Sequence, residues 1–187
     1  MKTAGLVLAA GAGTRLGTPK ALLRLGNQTL AERAVTMMGD GGCDPVVIVV
    51  GAQRLALDCA RVVVNPQWET GMGSSLRTGL AALSPMDVEA VVVTLVDMPG
   101  VSAEAVRRVA AKASPGALVS ASYDGRRGHP VLFGRDHWVG IASTAIGDVG
   151  ARAYLRTREV EIVDCADVAS DDDIDTAEDA RRWLDGW

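Results

Sequence analysis

Residues 8–20 read LAAGAGTRLGTPK and directly follow a short apolar run that begins at Gly5. Glycines allow backbone N–H groups to converge on an anion, because no Cβ stands between the backbone and the ligand. Arg15 and Lys20 add positive charge, and Pro19 restricts the chain just before the lysine. The spacing matches neither GxGxxG nor GxxxxGKS/T, so a plain glycine-rich turn and a phosphate-binding loop both remain open for this stretch alone.

Asp97, in the segment LVDMP, directly follows the mostly apolar run 90–96, a position from which its carboxylate could bind a ligand or a metal ion. An Asp at the end of a buried strand often only caps the turn that follows. A carboxylate opposite a phosphate loop would repel the phosphates, however, unless a cation lies between them. Mg²⁺ suits that position, because it binds one or two carboxylates together with substrate phosphates. The loop and Asp97 together predict a magnesium-dependent phosphate site better than either does alone.

The acidic stretch 171–175 could supply a second metal ligand. A solvated turn is the simpler explanation for its first two residues, since acids are favoured just before a helix. Asp173 and Asp175 flank Ile174, and side chains two positions apart face the same way in extended chain. Either of these two residues is therefore a candidate for the second carboxylate.

The segment 65–75, NPQWETGMGSS, is too rich in glycine and polar residues to be core. Trp68 could pack on a sheet, and Ser74 or Ser75 could cap a helix over 76–83. The functional interpretation is a loop that reads the edge of a nucleobase through backbone groups and hydroxyls.

The elements that must position these residues alternate between β-branched runs and helical patterns. Capping boxes at Thr29 and Thr176 and a cap at Ser102 begin three of the helices. Asp124–Gly125 predicts a hairpin turn and, with it, one antiparallel strand. Strands are expected over residues 5–9, 46–50, 61–64, 90–96, 117–122, 129–133 and 160–163.

This alternation predicts an α/β fold with a mostly parallel sheet and helices on both of its faces. In open α/β sheets, ligands bind beyond the carboxyl ends of the strands. The loops that follow the predicted strands should therefore form one cleft: 10–19, 51–53, 65–73, 97–99 and 164–175.

Composition excludes several other classes of protein. The length of 187 residues fits one domain, and the net charge of −4 comes without a large basic cluster, which argues against nucleic-acid binding. No apolar stretch reaches the roughly 18 residues that a membrane helix needs. The three cysteines form no CxxC pair, so we expect a reduced, cytoplasmic protein.

Six segments, taken in chain order, resemble those of the MobA-like nucleotidyltransferase family. They are LAAGAGTRLGTPK, NPQWETGMGSSLRTGL, LVDMP, RRGHPVLF, GDVGAR and DIDTAED, which run from residue 8 to residue 179. The nearest subgroup is that of molybdenum cofactor cytidylyltransferases. The resemblance implies a Rossmann-like three-layer sandwich of the nucleotide-diphospho-sugar transferase type, formed as one domain by residues 1–187. It also implies a Mg²⁺-dependent enzyme that moves CMP or another NMP from an NTP to a phosphorylated acceptor such as molybdopterin, with release of pyrophosphate.

The resemblance also implies which residues form the site. Those implied in catalysis are Lys20, Arg15 and Asp97. Those implied in nucleotide binding are Leu8, Ala9, Ala10, Gly11, Ala12, Gly13, Thr14, Arg15, Lys20, Asn65, Gly73, Ser74 and Ser75. The metal would be held by Asp97 and Asp173, with Asp175 as the alternative second ligand. Those implied on the acceptor side are His129, Pro130, Gly147, Asp148 and Arg152.

The form LAAG, rather than LAGG, is similar to that of CTP-using members of the family, an inference that depends on Ala10. The LVDMP segment departs from relatives that have Cys and Gln beside the Asp, but metal binding needs only the Asp.

Three alternatives remain: a sugar-phosphate or other small-phosphate nucleotidyltransferase, an NAD(P)H-dependent oxidoreductase on the same fold, and a non-catalytic carrier that serves a molybdoenzyme partner. The absence of GxGxxG argues against the oxidoreductase. The presence of Lys20, Asp97 and Asp173 argues against a non-catalytic site.

Overall fold

The computed structural model describes residues 2–11, 13, 16–51, 53 and 55–185. The strands are β1 Thr3–Ala9, β2 Arg24–Leu25, β3 Gln28–Thr29, β4 Val46–Val50, β5 Arg61–Val64, β6 Ala90–Leu95, β7 Leu118–Tyr123, β8 Arg126–Gly134 and β9 Glu161–Asp164. The α-helices are α1 Leu30–Asp40, α2 Met72–Leu83, α3 Ala103–Ala110, α4 Trp138–Thr144, α5 Arg152–Leu155 and α6 Ala177–Asp185. Short 3₁₀ turns are formed by Lys20–Leu22, Trp68–Thr70, Arg135–His137 and Gly147–Val149.

Seven strands form one sheet in the order β5-β4-β1-β6-β8-β7-β9. Strand β8 is antiparallel to both of its neighbours, β6 and β7, and the other neighbouring pairs are parallel. The reversal occurs at Asp124 and Gly125, whose φ angles of 50° and 78° are those of a tight hairpin turn. The predicted α/β fold, with a mostly parallel sheet and one antiparallel strand, is confirmed.

The core is divided by the sheet into two apolar layers, which makes the fold a three-layer sandwich. Helices α1, α3 and α6 pack on one face, where they bury side chains such as Val35, Met38 and Val106. Helices α2, α4 and α5 cover the other face with side chains such as Leu80 and Ile141. The central strands are apolar almost throughout because alternate side chains enter the two layers.

Local sequence signals placed several helix ends correctly. Thr29 and Glu32 form the predicted capping box, in which Thr29 Oγ1 accepts from the Glu32 N–H at 3.1 Å. Ser102 caps α3 through the N–H of Ala105, also at 3.1 Å. The box at Thr176 is also present, since its Oγ1 accepts from the Asp179 N–H at 3.1 Å.

The start of α2 was predicted wrongly. The helix begins at Met72, with Gly71 before it at a φ of 105°. Ser74 and Ser75 therefore lie inside the first turns rather than capping them. Among the described residues, no helix combines the length and apolar character that crossing a membrane requires.

Candidate active site

The carboxyl ends of β1, β5 and β6 open onto one cavity of about 510 Å³, here called the phosphate-loop cavity. Its walls come from three of the five loops that were predicted to form one cleft, and the described residues of 51–53 and 164–175 do not line it. Gly11 and Gly13 follow β1, Gly71 and Ser75 belong to the segment after β5, and Asp97 follows β6. These three predicted loops therefore form one cleft.

Gly13 is required by the shape of the loop after β1. Its φ is 61°, and a Cβ at this position would lie 1.8 Å from the carbonyl oxygen of Thr18. The carbonyl of Gly13 accepts from the N–H of Leu16 at 2.9 Å, which closes the turn. A side chain larger than hydrogen would force this turn open. The predicted site residues Ala12, Thr14 and Arg15 lie outside the described residues, and their roles stay predictions.

Lys20 lies between two carboxylates that are distant in the chain. Its Nζ donates to Asp97 Oδ2 at 2.7 Å and to Asp175 Oδ1 at 2.5 Å. The lysine side chain is 17% exposed. Burial favours the neutral amine, but the hydrogen bonds to Asp175 and Asp97 outweigh it and raise the pKa of Lys20. The ammonium is therefore charged at neutral pH.

Asp173 is exposed and does not line the phosphate-loop cavity; it lines a second cavity, which is described below. Partial burial and the nearby charges of Asp175 and Asp97 raise the pKa of its carboxyl group. Within the described ranges, no group of three or more His, Cys, Asp or Glu side chains is placed to ligate one metal ion. The three predicted metal ligands therefore do not form a complete protein site.

Asp97 and Asp175 nevertheless converge on one cation, the ammonium of Lys20. Two carboxylates around one positive charge fit a divalent ion that takes its remaining ligands from substrate phosphates and water. Of the two candidates for the second carboxylate, Asp175 is the one that shares a cation with Asp97.

Asn65 organises the segment that was predicted to read a base. Its Nδ2 donates to Ser74 Oγ at 2.8 Å and to Ser75 Oγ at 3.0 Å. Its Oδ1 accepts from the N–H of Gln67 at 2.9 Å. The side chains of Asn65, Ser74 and Ser75 are all buried, and Ser75 also lines the phosphate-loop cavity. Gly73 packs against the carbonyl of Ala145, which would lie 2.6 Å from a Cβ. The network shapes this wall of the cavity, and base recognition stays a prediction.

A second cavity of about 500 Å³, here called the acceptor cavity, adjoins the first. The two cavities share a wall formed by Leu8, Met72, Leu95 and Asp148. Asp148 Oδ1 accepts from the N–H of Met72 at 3.2 Å, which joins the 3₁₀ turn at residue 148 to the start of α2.

The predicted acceptor-side residues divide into two groups. His129, Asp148 and Arg152 line the acceptor cavity. Pro130 is buried in β8 instead. Gly147 packs against Gly71, whose added Cβ would lie 2.5 Å from the Gly147 carbonyl carbon.

His129 reaches the acceptor cavity from the first half of β8. Its Nδ1 lies 3.2 Å from the carbonyl oxygen of Val93, so we assign the proton to that nitrogen. Burial lowers the pKa of His129, although the Val93 carbonyl and Asp97 act in the opposite direction. The imidazole is therefore neutral near pH 7.

Three arginines line the acceptor cavity together with the apolar Val131 and Phe133, and three acids, Asp148, Asp171 and Asp173, also line it. The arginines are Arg127, Arg152 and Arg156. None of these three forms an ion pair with any residue that the structure describes, whereas the neighbouring Arg126 pairs with Asp171 at 3.3 Å. Sequence reasoning missed Arg127 and Arg156 as individual site residues. Spacing could have found Arg156, since it lies four positions after Arg152 and both face one cavity.

The sequence and the fold of this chain are similar to those of several known proteins. Residues 5–163 match the family model of the MobA-like NTP transferase domain. Nicotine blue oxidoreductase of Paenarthrobacter nicotinovorans is 42% identical over 196 aligned positions, which cover 96% of this chain and 95% of that protein. A probable molybdenum cofactor guanylyltransferase of Opitutus terrae is 37% identical over 101 positions, 54% of this chain and 50% of that protein. Among solved structures, a Mycobacterium tuberculosis H37Rv protein in complex with manganese matches with a TM-score of 0.80 and 28% identity over 100% of both chains.

Proposed function

The chain belongs to the family of MobA-like NTP transferase domains; from this premise we propose that it is a nucleotidyltransferase, and we propose its substrates and metal. Residues 1–187 form one domain that moves CMP from CTP to a phosphorylated acceptor of the molybdopterin type and releases pyrophosphate. The proposal depends most on one observation: a glycine loop with a lysine and an arginine-lined cavity meet at one shared wall. Transfer between two substrates needs this adjacency, because positioning provides much of the rate.

The class of acceptor is inferred from the second cavity. Its apolar lining residues, which include Val131 and Phe133, suit the faces of a flat ring system. Arg127, Arg152 and Arg156 suit an anionic group, because guanidinium groups bind phosphate oxygens through paired hydrogen bonds. A flat ring system that carries a phosphate, such as that of molybdopterin, meets both requirements.

The proposed reaction requires no general base. An oxygen of the acceptor phosphate attacks the α-phosphorus of CTP and forms a new P–O bond. The bond from the α-phosphorus to the bridging oxygen breaks, and pyrophosphate leaves with the electron pair. Since the attacking phosphate is already anionic, the protein mainly positions the substrates and neutralises their charge. The neutral imidazole of His129 contributes contact rather than charge.

Charge on the triphosphate would be offset by Lys20 and Arg15. Asp97, together with Asp175 or Asp173, would hold a divalent ion, and that ion when bound would neutralise phosphate charge. The manganese complex of the M. tuberculosis structure supports a divalent ion in this role. Mg²⁺ is proposed because two carboxylates plus phosphates are its usual ligands.

CTP is proposed as the donor on the basis of Ala10, which lines the wall of the phosphate-loop cavity. Its methyl group takes up room that a glycine would leave open, and the smaller pyrimidine base needs less room. The test is pyrophosphate release from CTP, GTP, ATP and UTP with Mg²⁺, with and without molybdopterin. We expect release with CTP that depends on molybdopterin. Faster release with GTP would reverse the nucleotide assignment, and no release with any NTP would refute the transfer.

A second candidate is reduction by NAD(P)H, which the 42% identity to nicotine blue oxidoreductase favours. A nicotinamide dinucleotide also carries a diphosphate that a glycine loop could bind, and its reducible partner would enter the acceptor cavity. Oxidation of NADH or NADPH, followed at 340 nm with nicotine blue as acceptor, tests this function. Turnover in that assay without pyrophosphate release in the first would select the oxidoreductase.

A further inference from the structure

Lys20 occupies the point on which Asp97 and Asp175 converge. The two carboxylates come from positions 77 and 155 residues further along the chain, yet each lies within hydrogen-bond distance of the same Nζ. Lys20 and Asp97 are both largely shielded from solvent, with 17% and 19% of their side chains exposed. Asp175 is 45% exposed, so the Lys20–Asp97 pair is shielded from solvent and the third group, at the mouth of the site, is not.

A divalent ion and this ammonium cannot both lie between the two carboxylates. Mg²⁺ binds oxygen at about 2.0–2.1 Å, so an ion bound by both groups would need the space that Nζ fills. Two cations at that separation would also repel each other strongly. A metal that binds Asp97 and Asp175 together must first displace Lys20.

A displaced Lys20 would need another anionic partner, and the site offers a place for one. Lys20 lines the phosphate-loop cavity together with Gly11 and Gly13, the glycines that follow β1. A triphosphate bound there would present oxygens to the ammonium. Asp97 lines the same cavity, so the contacts of Lys20 with carboxylate and with phosphate are alternatives within reach of one side chain.

We propose that Lys20 is a placeholder cation, which neutralises Asp97 and Asp175 in the nucleotide-free protein and is exchanged for a divalent ion when a triphosphate attracts its ammonium. This inference rests on the proposed nucleotidyl transfer, because it takes a triphosphate as the ligand that releases the lysine. It gives Lys20 a second role, since the lysine competes with metal for Asp97 and Asp175 before the nucleotide binds.

The test is Mn²⁺ binding to the nucleotide-free protein, measured by the loss of the electron paramagnetic resonance signal of free Mn²⁺. Lys20→Gln removes the competing charge, so Mn²⁺ should bind about tenfold or more tightly than to the wild type. Lys112→Gln is the matched control, because Lys112 forms an exposed ion pair with Glu161 and its loss changes the net charge equally. Mn²⁺ affinity that is unchanged or weaker in Lys20→Gln would overturn the proposal.

A second measurement uses the wild-type protein and does not depend on the folding of a variant. Mass spectrometry after brief acylation of lysines reports how accessible Lys20 is relative to Lys112. Without nucleotide the lysine and the metal compete for the two carboxylates, so only a large excess of Mn²⁺ should increase the labelling of Lys20, and that of Lys112 should stay unchanged. Equal labelling of Lys20 with and without a large excess of Mn²⁺ would overturn the displacement.

Neither measurement contains a nucleotide, so each result is separate from the pyrophosphate assay. If the lysine is not displaced in a protein that releases pyrophosphate, the placeholder role fails and the transferase remains. If Lys20 is displaced but no NTP yields pyrophosphate, the proposed function fails instead.

Discussion

The carboxylate of Asp97 and the ammonium of Lys20, 77 positions apart in the chain, are joined by a 2.7 Å ion pair at the carboxyl edge of the sheet. Asp97 stands just beyond β6, and Lys20 ends the glycine loop after β1, the strand beside β6 in the sheet. The parallel pairing of β1 and β6 brings the two loops together, so the sheet itself sets this contact.

Asp97→Asn should abolish the response of turnover to divalent ions. The amide keeps the shape of the side chain but loses the charge that a metal requires, so we expect turnover to fall by about a hundredfold or more. Pyrophosphate release is measured across a Mg²⁺ titration and after treatment with EDTA. Asp87→Asn, at an exposed position before β6 and so at the opposite edge of the sheet, is the control. A full Mg²⁺ response in Asp97→Asn would remove this residue from the metal site.

Lys20→Ala should weaken the binding of CTP with Mg²⁺ by about 1.5–3 kcal/mol, the usual contribution of a charge-assisted hydrogen bond. Calorimetric titration of the wild type, Lys20→Ala and the surface variant Lys112→Ala gives the three dissociation constants. If all three are equal, LAAGAGTRLGTPK is only a turn.

Gly13→Ala and Gly17→Ala form a matched pair within the glycine loop. Both glycines have positive φ angles, 61° and 68°, but a Cβ would strike the Thr18 carbonyl only at Gly13 and would meet open space at Gly17. Strain of this kind costs about 1–3 kcal/mol, so Gly13→Ala should bind CTP about tenfold more weakly, whereas Gly17→Ala should change less. The same calorimetric titration measures both variants, and a larger loss at Gly17 would contradict the described loop.

Arg152→Met should raise the KM for the phosphorylated acceptor about tenfold, because a hydrogen bond to a charged group contributes roughly 1.5–3 kcal/mol. The KM for the nucleotide should change little, since Arg152 lines the acceptor cavity and not the phosphate-loop cavity. Arg61→Met, at the exposed start of β5, serves as the control. An effect confined to the nucleotide KM would mean that the two cavities have been assigned the wrong way round.

His129 should make the folded protein less stable as the pH falls. Burial lowers the pKa of this imidazole in the folded protein below the ordinary value of 6.5. Below about pH 6.5 the unfolded chain binds a proton that the folded protein resists, so the free energy of unfolding decreases toward lower pH. Urea denaturation of wild type, His129→Gln and His137→Gln between pH 7.5 and 5 measures this slope. The slope should shrink in His129→Gln and persist in His137→Gln, and equal slopes in all three would refute the linkage.

Much of the sheet was predictable because its strands are short apolar runs bounded by polar loops. The strand over 46–50 was placed correctly, and Asp124–Gly125 correctly predicted the hairpin that reverses β8. The start of α2 was not predictable locally. The N–H of Met72, the first residue of α2, donates to the carboxylate of Asp148, which lies 76 residues away. The β2–β3 hairpin and the short helices α4 and α5 were also missed, since segments of this length carry little periodicity.

The candidate site was predicted less completely than the fold. Asp97 could be placed at this edge of the sheet because it follows a recognisable strand, and Lys20 because it ends the glycine loop after β1. The choice between Asp173 and Asp175 could not be made from the sequence. The strand rule places both side chains on one side, but these residues lie outside any regular strand, and only Asp175 contacts Lys20. Arg127 belongs to the first residues of β8, and an antiparallel strand brings its beginning, not its end, to the ligand edge.

Among the described residues, the two cavities share only one wall, so most of the residues that line each of them can vary independently. Leu8, Met72, Leu95 and Asp148 face both cavities, while Arg127, Arg152 and Arg156 face only the acceptor cavity. Mutation can therefore change the acceptor cavity without changing the residues that line the phosphate-loop cavity. Substitutions of those arginines, or of Val131 and Phe133 beside them, would change which small molecule fits while the glycine loop keeps its shape.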